Sequence, residues 1–247
     1  MATKSIFFPF SSKAQRIITT IALGALLSVL MIHQGARVMW GEHYITFFKG
    51  IIRNPLQVGA YSPCSVFVAK EITKYVAADK KSGALRVLEV GAGSGVLTTK
   101  LEKVLQQRGG SYALDVIEID HEYAALLQKR FANNPNVTIH CIDATQFKAA
   151  AKYDYIITTL PYNVMDTEVV SGILKGYERM IAKGGILSYV EHIGLPALRE
   201  KILRGSEKEL FIEKRNVINN FKDTYLLETA TVYRNITPLY VHHLKIG

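Results

Sequence analysis

The segment Glu89-Val90-Gly91-Ala92-Gly93-Ser94-Gly95 joins a short apolar run to Val96-Leu97-Thr98-Thr99-Lys100-Leu101, where a helical pattern begins. Glycines at alternate positions let the backbone come close to a ligand, and the helix start that follows presents free N–H groups to it. The junction therefore predicts a strand-to-helix turn at a binding edge. The chain beyond Pro55 agrees, because short apolar runs alternate there with amphipathic stretches, as βα units around a parallel sheet require. The predicted strands are Arg86–Val90, Ala113–Ile119, Val137–Cys141, Tyr153–Thr158 and Ile186–Val190. With 247 residues, the chain has room for one α/β domain and an appendage, not for two separate cores.

Carboxylates follow the glycines at the expected places. Glu118 ends the second predicted strand, where a carboxylate can accept hydrogen bonds from ribose hydroxyls. Asp120 is then read as the cap of a helix starting at His121. The third strand runs into Asp143 and Ala144, which puts a second acid within reach of an adenine amino group. A G-x-G-x-G turn with acids at the next two strand ends resembles the class I methyltransferases and argues against a dinucleotide oxidoreductase. The resemblance implies a doubly wound, seven-stranded, Rossmann-like sheet with a reversed last strand. It also implies S-adenosylmethionine as cofactor, held by Glu89, Gly91, Gly93, Gly95, Glu118, Asp143, Ala144 and Thr159.

After the fourth strand comes Thr158-Thr159-Leu160-Pro161-Tyr162-Asn163. It resembles the N-L-P-Y-N loop of the ribosomal RNA adenine dimethylases, in which the leading Asn binds the adenine amine and the Tyr stacks on the base. Here Thr159 takes the leading position, a weaker match for a planar amine. Two further segments are similar to motifs of the bacterial phospholipid N-methyltransferases: Asn54-Pro55-Leu56-Gln57-Val58-Gly59-Ala60-Tyr61-Ser62-Pro63-Cys64-Ser65, and Val232-Tyr233-Arg234-Asn235-Ile236-Thr237-Pro238-Leu239-Tyr240-Val241. Cys64, Thr237 and Leu239 depart from that family's Ser, Pro and Ala. The resemblance implies methyl transfer to a phospholipid head-group amine, phosphatidylethanolamine toward phosphatidylcholine. An RNA adenine N6-methyltransferase is the alternative reading, and a membrane-tethered cofactor-binding protein without catalysis is a second.

Methyl transfer from a sulfonium to an amine is an in-line displacement, so the protein's main task is to align the two. Tyr162 and Asn163 are expected at the acceptor, with Tyr162 offering an aromatic face to a cationic amine. Tyr61 and Ser65 are expected as hydrogen-bonding walls and Arg234 as the partner of a phosphate. Glu191 and His192, placed just past the fifth strand, are candidates for accepting the amine's proton. The segment Leu195 to Asp223 reads as one or two covering helices. Neither metal-ligand spacing nor a Ser-based triad is present in the sequence.

The net charge of +9 suits an anionic partner, either nucleic acid or acidic lipid. Residues 1–55 hold six basic side chains against the single acid Glu42, a local excess of five around the uncharged run Ile17 to Ile32. That run is just short of a membrane span; a cleaved signal peptide and a buried core helix are its rivals. Trp40, Tyr44, Phe47, Phe48 and Ile51 recur at helical spacing and predict an interfacial amphipathic helix over 40–53. The expected organisation is a membrane-associated segment, 1–54, and a catalytic domain, 55–247, facing the cytosol and an anionic phospholipid surface. The two cysteines, Cys64 and Cys141, form no pairing framework.

Overall fold

The computed structural model describes residues 64–247 apart from 82 and 236. The segments predicted over 17–32 and 40–53, the first motif up to Pro63, and Tyr61 lie outside the described residues. Among the described residues no helix is long and apolar enough to cross a membrane, and no group of side chains is placed to hold a metal.

Two short helices, α1 (Val66–Ile72) and α2 (Lys74–Ala78), precede β1 (Leu85–Val90), and α3 (Val96–Arg108) follows it. Then come β2 (Tyr112–Glu118), α4 (His121–Phe131), β3 (Val137–Cys141), β4 (Tyr153–Thr158), a 3-10 turn (Tyr162–Val164) and α5 (Thr167–Met180). The chain continues through β5 (Ile181–His192), α6 (Leu195–Ile202), α7 (Gly205–Tyr225), β6 (Leu226–Val232) and β7 (Leu239–Ile246). The seven strands form one sheet in the order β3-β2-β1-β4-β5-β7-β6, parallel except where β7 runs against β5 and β6. The expected doubly wound sheet with a reversed last strand is present.

Strand alternation explains the two cores. On β1, Val87 packs among Val68, Ile72, Leu97 and Leu101 from α1 and α3, whereas Leu88 packs among Ile173 and Leu174 of α5. Successive side chains must point to opposite faces, and a strand covered on both faces reads as a continuous apolar run. On α5 the buried residues Val170, Ile173, Leu174 and Tyr177 follow the spacing of one helical face. Asp120 caps α4 as predicted, its carboxylate accepting from Glu122 N at 2.9 Å and Tyr123 N at 3.1 Å.

One expectation is corrected, and one left open by the sequence is decided. The fifth strand is longer than Ile186–Val190, because β7 pairs along it as far as His192↔Leu239. Glu191 and His192 are thus paired strand residues and not part of the following loop. The segment after Gly194 resolves into two helices, separated where the backbone turns extended at Leu203 and Arg204.

Strand order fixes where a ligand can sit. The chain winds outward from β1 to β3, then returns to place β4 on the other side of β1. Loops leaving the carboxyl ends of β1 and β4 diverge, and open α/β sheets bind ligands in the crevice so formed.

Candidate active site: the glycine loop and the adjoining acceptor loop

Gly91, Gly93 and Gly95 all have positive φ, at 80°, 53° and 80°. Their surroundings differ. A β-carbon on Gly91 would lie 2.8 Å from Leu160 Cδ2, and one on Gly95 would lie 2.3 Å from Leu127 Cδ2. A β-carbon on Gly93 would meet nothing within 4 Å. Gly91 and Gly95 are therefore required by the protein's own packing, while Gly93 borders open space of the kind a ligand needs.

Glu118 is 6% exposed and ties the loop down, its carboxylate accepting from Gly93 N at 2.6 Å and Asp120 N at 2.9 Å. Burial raises its pKa, and those backbone N–H groups oppose the rise. Glu89 is more unusual. It is 1% exposed, and neither carboxylate oxygen has a hydrogen-bond partner among the described residues. Burial pushes its pKa up to about 8, with Glu118 adding to the rise and the nearby Thr98 hydroxyl, short of hydrogen-bond geometry, opposing it. At neutral pH this buried carboxyl holds its proton and, among the described residues, lacks a hydrogen-bond partner beneath a loop that borders open space. Burial, with the Glu89 charge adding to it, pushes the Cys64 thiol up to about 12.

Asp143 closes a turn at the end of β3, its Oδ1 accepting from Thr145 N and Thr145 Oγ1, both at 2.7 Å. It stands beside the Glu118 strand end, since Ile142 N donates to Glu118 O at 3.2 Å. Ala144 is half-buried against the core under α5. Thr159 joins the two loops, its hydroxyl donating to Gly91 O at 2.9 Å. The expected cofactor residues thus gather at the carboxyl ends of adjacent strands.

The acceptor loop departs from expectation at Tyr162. Its ring is 6% exposed, set edge-on to Tyr189 at 6.0 Å, and its hydroxyl lies 3.3 Å from Tyr177 and 3.4 Å from Thr158 Oγ1. A buried tyrosine needs a partner for its hydroxyl, and these two residues provide it. The ring is an anchor for the loop, not an open face for an amine. Tyr162→Ala should cost about 3–5 kcal/mol of stability by opening a cavity. Tyr162→Phe should cost about 1 kcal/mol, because Tyr177 keeps its contact with Thr158. Denaturant unfolding of both variants tests this; equal losses would show that the hydroxyl, not the ring, anchors the loop. Asn163 takes part through its backbone, its carbonyl accepting from Arg199 Nη1 at 2.9 Å and Lys214 Nζ at 3.4 Å.

The two separated motifs meet at the same edge. Ser65 N donates to Asn235 Oδ1 at 3.0 Å, and Asn235 Nδ2 donates to Thr237 O at 3.1 Å. The Ser65 hydroxyl caps α1, accepting from Val68 N at 3.3 Å, which leaves its O–H as the group that could donate to a ligand. Arg234 is exposed with its guanidinium 5.0 Å from the Phe67 ring centroid, and no carboxylate among the described residues pairs with it. His192 shares a 2.9 Å hydrogen bond with Thr237, and burial lowers its pKa. Glu191 is held by His242 at 3.1 Å; burial raises its pKa, but His242, Lys222 and Arg215 bring it below the usual value. Asn235, Leu160, Arg199 and Lys214 were not singled out from the sequence, and only Asn235 and Leu160 lay within motifs that marked them.

Residues 87–185 match the family described as a methyltransferase domain. The matched stretch runs from β1 into β5 and includes both the glycine loop and the acceptor loop. A tRNA1(Val) (adenine(37)-N6)-methyltransferase of Citrobacter koseri is 34% identical over 86 residues, 33% of this chain and 34% of that protein. A ribosomal RNA small subunit methyltransferase A of Methylococcus capsulatus is 35% identical over 97 residues, 38% of this chain and 35% of that protein. The chain spans about a third of the length of these curated relatives. Among solved structures, N-methyltransferase NodS from Bradyrhizobium japonicum WM9 in complex with S-adenosyl-L-homocysteine aligns with TM-score 0.56 at 17% identity, over 82% of this chain and 99% of that one. An identity this low speaks for the fold.

Proposed function

We propose that this chain is an S-adenosylmethionine-dependent N-methyltransferase whose acceptor is the exocyclic amine of adenine in RNA. One observation carries the enzyme reading: the glycine loop with its unpartnered Glu89 carboxylate is hydrogen-bonded, through Thr159, to the loop expected to receive the acceptor. S-adenosylmethionine supplies an electrophilic methyl group on a sulfonium. Glu118 and Asp143 are the residues to hold its ribose and adenine over Gly93, with Glu89 buried beneath the loop to balance its positive charge. The chain's own part is alignment: the Thr159 bond to Gly91 holds the acceptor loop to the donor cradle, and Tyr162 fixes that loop from beneath. The N–C bond forms as the S–C bond breaks, and the amine's proton passes to solvent or to a nearby base. RNA is favoured as acceptor by the names of the curated relatives and by the charge of +9.

A phospholipid amine is the second reading. It is favoured by Thr159 in place of Asn, by the meeting of the 54–65 and 232–241 motifs at Ser65 and Asn235, and by exposed apolar side chains at Phe67, Leu198 and Ile202. In that reading residues 1–54 hold the domain at an anionic membrane surface with its site facing the cytosol.

Purified full chain, incubated with methyl-labelled S-adenosylmethionine, separates the two when RNA and phosphatidylethanolamine vesicles are offered side by side. Label in adenine of the RNA is the expected result. Label confined to lipid would transfer the assignment to the second reading, and binding of S-adenosylhomocysteine with no transfer to either would leave a binding protein.

A further inference from the structure

We propose that Arg199 of α6 and Lys214 of α7 form a clamp for one backbone phosphate of the RNA that carries the acceptor amine, an inference that rests on the RNA reading above. Both side chains converge on a single neutral atom, the Asn163 carbonyl oxygen, at 2.9 Å and 3.4 Å. Two cations drawn to one carbonyl repel each other, and no carboxylate among the described residues forms an ion pair with either. The adjacent acid Glu200 is committed elsewhere, to Arg215 at 2.5 Å. Lys214 is half-buried, and burial together with the Arg199 charge lowers its pKa, with Asp166 opposing them only from beyond ion-pair distance. An arriving anion relieves both costs.

The geometry of Arg199 narrows the ligand. Its guanidinium lies 5.3 Å from the Phe211 ring centroid, and Phe211 is itself buried in the α6–α7 pair. The cation–π contact and the bond to Asn163 hold the guanidinium at the loop, and that single N–H bond leaves further donors for the oxygens of a phosphodiester. Position supplies the rest. Asn163 ends the loop whose first residue, Thr159, is bonded to Gly91, so the clamp sits at the outer end of the acceptor loop. A base methylated on its amine must leave its stack, and phosphate contacts hold the strand in register while it does so.

The test uses full-length chain with Arg199→Gln, Lys214→Gln and the double substitution. A fluorescent adenosine-containing oligoribonucleotide is titrated by anisotropy at several salt concentrations, and S-adenosylhomocysteine binding and thermal melting are measured alongside. The double variant should bind the oligonucleotide at least tenfold more weakly at low salt. Its plot of log affinity against log salt should be shallower, by roughly 0.7 for each phosphate that the protein no longer neutralises. Arg199→Lys should recover part of the affinity, while S-adenosylhomocysteine affinity and melting stay at wild-type values. Parallel salt plots for wild type and double variant, with cofactor-product binding intact, would overturn the clamp alone. Loss of binding to phosphatidylethanolamine–phosphatidylglycerol vesicles, with oligonucleotide binding unchanged, would overturn the RNA assignment of the pair. Failure of the wild type to bind S-adenosylhomocysteine would overturn the function beneath it.

Discussion

Gly95→Ala should lower the melting temperature by about 5–15 °C, through a loss of roughly 2–5 kcal/mol. Two effects add. An alanine at φ 80° takes on left-handed strain, and its β-carbon would stand 2.3 Å from Leu127 Cδ2 and 2.8 Å from Arg130 Nη1. Arg130 can swing away, but Leu127 is 1% exposed in the core beneath α4, so relief requires moving a helix. Gly93→Ala should behave in the opposite way. No atom lies within 4 Å of its β-carbon, so the fold bears only the backbone strain, about 1–2 kcal/mol. The methyl group projects into the space assigned to the cofactor, so S-adenosylhomocysteine affinity should fall at least tenfold. Calorimetry and melting on the two variants read these effects separately. A Gly95→Ala protein that melts with the wild type would mean that the loop does not pack on α4 as described.

Glu89→Gln should remove this residue's own share of the pH dependence of stability, so that the difference in stability between unliganded wild type and variant changes between pH 4.5 and 8. The folded-state pKa of about 8 stands above the ordinary 4.5, so the folded protein holds this proton more tightly than the unfolded chain. The contribution is therefore complete below about pH 4.5 and is lost as the pH rises through 8. Its full extent is on the order of 5 kcal/mol at one pKa unit per 1.36 kcal/mol. Above pH 8 the Gln variant should be the more stable of the two without ligand. With ligand the order should reverse, because a bound cation stabilises the carboxylate and the amide cannot replace it. Wild type should then release up to one proton on binding near pH 6, measurable by calorimetry in buffers of different ionisation enthalpy. Identical proton release by wild type and Glu89→Gln would remove Glu89 from the cofactor's charge balance.

Much of this could be read in one dimension because the governing interactions are local or periodic. The strand-to-helix turn at Gly91–Gly95, the cap at Asp120, and strands β3 and β4 follow from residue type and spacing, and each is found at its predicted place. Glu118 and Asp143 were legible because strand ends in a parallel sheet fall on one edge. The full length of β5 was not legible, because its last two residues are strand only through pairing with β7, some fifty positions later.

What only the tertiary structure decided concerns where side chains point and what remains unpaired. The N-L-P-Y-N-like loop identifies Tyr162, but not that Tyr177 and Thr158 receive its hydroxyl and draw the ring into the core. The motifs around Ser65 and Asn235 are separate in the chain, and their hydrogen bond exists because α1 and the β6–β7 connection reach the same sheet edge. Glu89 could be placed in a cofactor loop from sequence, whereas the lack of a hydrogen-bond partner for its carboxylate among the described residues is a property of packing. The convergence of Arg199 and Lys214 on Asn163 had no sequence signal, since it depends on how α6 and α7 fold back over the loop. Residue order sets local conformation through short-range sterics and hydrogen bonds, but long-range burial decides which polar groups are satisfied and which are left for a ligand.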